Sequence, residues 1–73
     1  MTVYESVLDT CKLYLGPAAE QFVTRQCALF LKIQPRNLGK QHLSELAKHI
    51  ELTALRFMDE GKVRELSKKI SAL

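Results

Sequence analysis

The sequence predicts an all-α fold, a compact bundle of about four helices forming one domain over residues 1–73. Three observations carry that expectation. Helix formers such as Leu, Ala, Lys, Glu, Gln and Arg dominate, with only three Gly and two Pro to interrupt them. Apolar residues recur at three-and-four spacing along most of the chain. Turn residues gather at a few points, first Gly16-Pro17 and then Gln34 to Gly39.

The first helix is expected from about Val3 to Leu15. Tyr4, Val7, Leu8, Cys11, Tyr14 and Leu15 share one side, and Glu5, Asp9 and Lys12 lie on the other. Thr2 reads as the N-cap, and Glu5 three residues later completes a capping box. Gly16 suits the left-handed residue after a helix end, while Pro17 suits the first turn of the next helix.

The second helix is expected from Pro17 to about Ile33, with a stripe of Ala19, Phe22, Val23, Phe30 and Ile33 widened by Cys27, Leu29 and Leu31. Because residues 27–33 are nearly all apolar, this half should be covered on more than one side, at the core's centre or at a subunit interface. A loop over 34–39 follows. The third helix should begin near Lys40, with Leu43, Leu46, Ala47, Ile50, Ala54 and Phe57 on one face. Leu52 and Leu55 fall off that face, which implies a bend near Glu51 or cover on both sides. A break at Asp59 or Gly61 precedes a short fourth helix carrying Val63, Leu66 and Ile70, with Arg64, Lys68 and Lys69 outward.

Composition narrows the class. At 47% hydrophobic and 26% charged the chain is too apolar for a disordered segment. The absence of a positive start followed by an apolar run, and of any long apolar stretch, predicts a cytoplasmic protein that neither enters a secretory route nor spans a membrane. Cys11 and Cys27 are too few for a disulfide framework. In a hairpin turning at Gly16 they sit roughly 9 Å apart along the axis, beyond disulfide reach, so both are expected as free thiols.

No catalytic constellation, cofactor site or metal site is expected. His42 and His49 are two helical turns apart, about 10 Å, too far to share one ion. A phosphotransfer histidine would want a cation beside it, whereas His49 is followed by Glu51. Neither cysteine has a His at helical spacing, and three scattered glycines make no phosphate-cradling loop.

Nucleic-acid binding is the serious rival to a protein partner. No acid occurs between Gln21 and Glu45, while Arg25, Lys32, Arg36, Lys40 and His42 fall in that window. Lys32, Arg36 and Lys40 are the expected phosphate contacts of that alternative. A helix-turn-helix pattern around Leu46-Ala47, Ile50 and Phe57 is partial, because Glu51 and Glu60 occupy positions that want Gly and an apolar residue.

Leu15-Gly16-Pro17-Ala18-Ala19 followed by Phe22-Val23, and later Leu43, Leu46-Ala47 and Ile50 before a short closing helix, resemble a small helical accessory domain. That domain occurs at the ends of bacterial signalling proteins, including serine/threonine kinases, nucleotide cyclases and response regulators. The resemblance spans most of the chain and implies a signalling-associated interaction or dimerisation module, with no catalytic residue to carry over. The chain shows no signalling domain beside this one, so it is either an excised piece or acts alone.

The sequence therefore predicts a non-enzymatic protein–protein interaction module that pairs with itself or another protein. Its expected interface residues are Phe30, Leu31, Leu52, Leu55 and Phe57. The motive is an apolar surplus that a domain this small lacks the volume to hide.

Overall fold

A computed structural model describes residues 2–73 of the chain, which are helical in large part and contain no strand. The radius of gyration is 10.7 Å, matching the roughly 11 Å expected of a compact chain this long.

Helix α1 (Val3–Leu15) begins with the anticipated capping box. The Glu5 backbone N–H donates to Thr2 Oγ1 at 3.1 Å, and the Thr2 backbone N–H donates to Glu5 Oε1 at 3.4 Å. α1 buries Val7 and Cys11. Gly16 closes it at φ 60°, ψ −135°, a conformation open in practice to glycine alone. Pro17 then sits in a single 3-10 turn, Gly16–Ala18, that leads straight into α2 (Ala19–Gln26).

Here the expected count of about four helices is corrected. Three helices are regular over twelve or thirteen residues: α1, α3 (Leu43–Ala54) and α4 (Glu60–Ser71). The segment expected as one helix to Ile33 is composite. Eight α-helical residues pass into a π-helical turn, Cys27–Leu31, and helicity ends there. The cause is local: the Cys27 carbonyl accepts from the backbone N–H groups of both Lys32 and Ile33, and Lys32 turns into the left-handed region at φ 55°. The expectation that residues 27–33 are covered on more than one side is also corrected. Only Cys27 is buried; Ala28, Leu29 and Phe30 are exposed, with Leu31 and Ile33 half-buried. A 73-residue chain supplies no second layer outside α2.

Two further 3-10 turns, Pro35–Asn37 and Lys40–His42, fold the loop, and buried Leu38 pins it to the core. α3 thus starts at Leu43 rather than Lys40. It ends at Ala54, so Phe57 lies beyond the helix and outside its apolar face, which is a further correction. Asp59 caps α4, its carboxylate accepting from the Gly61 N–H at 3.1 Å. α3 and α4 form the most extensive contact in the fold. Ile50, Leu46, Leu66 and Ile70 centre the core, which Val7, Cys11, Val23 and Cys27 complete from α1 and α2. Among the described residues, no helix is long and apolar enough to cross a membrane.

Candidate interaction surface

The two cysteines and two histidines are each engaged in the fold. Cys11 and Cys27 are free and wholly buried. Burial pushes the Cys11 thiol up to about 12, and raises that of Cys27 for the same reason. A thiol held protonated in an apolar core is a poor nucleophile. His42 closes the turn before α3, its Nδ1 accepting from the Gly39 N–H at 2.9 Å. His49 stacks on Phe30, with ring centres 4.5 Å apart and planes 10° from parallel. Among the described residues, no three His, Cys, Asp or Glu side chains gather as metal ligands.

What the fold does offer is an open side. α2 leans on α1 and touches α3 only lightly, leaving a broad shallow depression along its outer face, lined by Pro17, Gln21, Thr24, Arg25, Ala28 and Leu29 among others. The seam with α3 is aromatic. Phe22 meets Phe57 edge to face at 5.8 Å, and Phe30 meets His49 as described. These two contacts run in opposite senses, Phe22 against Phe57 just past α3 and Phe30 of the π-helical turn against His49 within α3.

Four of the five expected interface residues are exposed, two of them, Phe30 and Phe57, in the seam itself. Phe30, Leu52, Leu55 and Phe57 show between 42 and 60% of their surface. Leu52 follows His49 by three residues and Leu55 follows Leu52 by three, so they continue one ridge across the outer surface of α3. Neither the bend near Glu51 nor the second cover expected for them occurs; both leucines simply face outward. Leu31 differs from the others, being half-buried against the core.

Two residues here depart from the pattern the sequence predicts. Leu29, 60% exposed, belongs to the stripe expected to be buried. Its place two positions from Cys27, near the opposite side of a helix, was the available signal. Gln26 is 1% exposed, and its Oε1 has no hydrogen-bond partner. Its step of three from Val23, within the buried row, marked it as inward.

Lys32, Arg36 and Lys40 all lie exposed on the folded loop. The ion pairs found among the described residues both lie on α4, Arg64 with Glu60 and Lys69 with Glu65, so none engages these cations. Glu51, at the position a helix-turn-helix reserves for its turn, lies inside α3. The α3–α4 pair therefore lacks that motif's turn there.

Comparison with models of protein families, with characterised proteins and with solved structures found no match.

Proposed function

We propose that the chain is a non-enzymatic interaction module that pairs with a second copy of itself through the outer faces of the π-helical turn and α3. The observation that carries this reading is the one-sided distribution of exposed apolar side chains. Five of the seven exposed large apolar residues, Leu29, Phe30, Leu52, Leu55 and Phe57, lie on the π-helical turn and on α3 with the turn that follows it, whereas α1 contributes only Leu13 and the end of α4 only Leu73. Large apolar patches mark association surfaces more often than ordinary solvent-facing ones. A second copy presents the same apolar ridge, so a two-fold contact is self-complementary by construction. A standard interface covers about 800 Å² per partner, roughly a sixth of the 4765 Å² surface of this chain.

Buried thiols and structurally engaged histidines support the non-enzymatic part of the reading. The resemblance of Leu15-Gly16-Pro17-Ala18-Ala19 and Phe22-Val23 to a signalling accessory domain supports a regulatory setting in a bacterial cytoplasm. The test is the solution mass. Light scattering should return two chains per particle at micromolar concentration, and Leu52→Glu should return one while circular dichroism stays unchanged. A wild-type monomer throughout the concentration range would overturn the reading.

A further inference from the structure

The loop joining the π-helical turn to α3 carries a second feature, independent of the apolar ridge. Lys32 is the only non-glycine residue with positive φ among the described residues, at φ 55°, ψ 41°. That position closes a helix, where glycine is the unstrained choice. A lysine there costs backbone strain, of order 1 kcal/mol or more, which persists where the surrounding structure or a function retains it. No side-chain hydrogen bond or ion pair found in the structure holds Lys32, so its contribution to the fold does not account for it.

Its surroundings point one way. Arg36 and Lys40 follow at intervals of four residues, both exposed, and neither forms an ion pair among the described residues. Two 3-10 turns and the buried Leu38 keep the three on one folded loop. Exposed amides, Gln34, Asn37 and Gln41, are interleaved with them. The nearest acids in sequence, Glu20 and Glu45, stand in the first turns of α2 and α3, at the positive ends of those helices. The sequence pI of about 9.1 agrees with a basic footprint.

We infer that this loop is a binding edge for the phosphate backbone of nucleic acid, with Lys32, Arg36 and Lys40 as the phosphate contacts. Cations neutralise successive phosphates, and amide side chains hydrogen-bond phosphate and sugar oxygens without reading sequence. An acidic protein segment would satisfy the cations but would leave the amides without that role. The three cations are distinct from the side chains of the apolar ridge, so the two surfaces are tested by separate substitutions.

The test is fluorescence anisotropy of the full chain against a labelled single strand and its duplex. Three phosphate contacts give a slope of log affinity on log salt of about −2 for a single strand and about −2.7 for a duplex. Between about 50 and 200 mM salt, affinity then falls roughly 20- to 40-fold. Lys32→Gly relieves the backbone strain, so the fold survives it. Lys32→Gly, Arg36→Gln and Lys40→Gln should each reduce the slope by about 0.7 to 0.9, while Lys62→Gln on α4 leaves it unchanged. Equal slopes on Leu52→Glu and wild type keep this result separate from self-association. Absence of binding at the lower salt, an equal effect of Lys62→Gln, or equally tight binding of poly-glutamate would each overturn the assignment.

Discussion

The two halves of this small fold are built to different standards. α3 and α4 pack on each other along regular stripes, Leu43, Leu46, Ala47, Ile50 and Ala54 against Val63, Leu66 and Ile70, all buried. A side-chain cap from Asp59 starts α4, and the Ser67 hydroxyl donates to the Ala47 carbonyl at 3.3 Å. The α2 half keeps regular geometry for eight residues, buries an unpartnered amide, widens into a π-helical turn and ends on a lysine in the left-handed region. Local rules agree with the global fold in one half and conflict with it in the other. Such conflicts concentrate where a chain serves recognition rather than stability.

Truncation should separate the halves most clearly. Leu66→Ala removes a wholly buried side chain from the α3–α4 contact and should cost about 2–5 kcal/mol in urea denaturation. That approaches the full stability of a domain this size, so Ile50→Val, expected at about 0.5–1.5 kcal/mol, keeps the comparison measurable. Phe57→Ala, at the exposed end of the aromatic seam, should cost less than Leu66→Ala by at least about 1 kcal/mol. A Phe57→Ala loss equal to that of Leu66→Ala would show that the α2–α3 seam holds the fold as firmly as the α3–α4 contact does.

The same division governs what the sequence reveals. The capping box at Thr2 and Glu5, the positive-φ glycine at Gly16 and the buried stripes of α3 and α4 are all legible, because each follows from local chemistry or a clean 3.6-residue period. The π-helical turn is not, because it depends on how the Cys27 carbonyl is shared by two donors three-dimensionally. Nor is the outward placement of Leu29 and Phe30. A seven-residue run with six apolar members satisfies buried and exposed assignments alike until the number of covering layers is known. The loop cations are legible as a charge pattern, and the strain at Lys32 only from the backbone.

The thiols sharpen the comparison at alkaline pH. Burial raises Cys11 from 9.0 to about 12. The folded value exceeds the unfolded one, so this contribution is complete below pH 9 and is lost as pH rises toward the folded value. Between pH 9 and about 10.5 the loss is roughly 2 kcal/mol, at about 1.4 kcal/mol per unit. Cys11→Ala should show that much less alkaline destabilisation than wild type in parallel denaturation curves. Cys27 is raised in the same direction but sits at the start of the π-helical turn. It should react with a thiol reagent through local opening well before Cys11, whose exposure requires unfolding of the α1 packing as well. Equal labelling rates under native conditions would mean that α2 opens only with the whole domain.

The smallest expected effect distinguishes the halves by sign. Gln26 has its Oε1 buried without a partner, an arrangement that costs about 1–3 kcal/mol relative to a satisfied group. Gln26→Leu keeps most of the volume and removes the stranded acceptor, so it should raise stability by about 1 kcal/mol. The matched change in the other half, Ser67→Ala, removes a hydroxyl that donates to the Ala47 carbonyl and should lower stability by about 0.5–1 kcal/mol. Both replace a polar side chain at a helix contact with an apolar one, and both are read from the same urea midpoint. Opposite signs follow if polar groups are satisfied between α3 and α4 and frustrated beneath α2. A loss for Gln26→Leu would instead mean that the amide has a partner in solution.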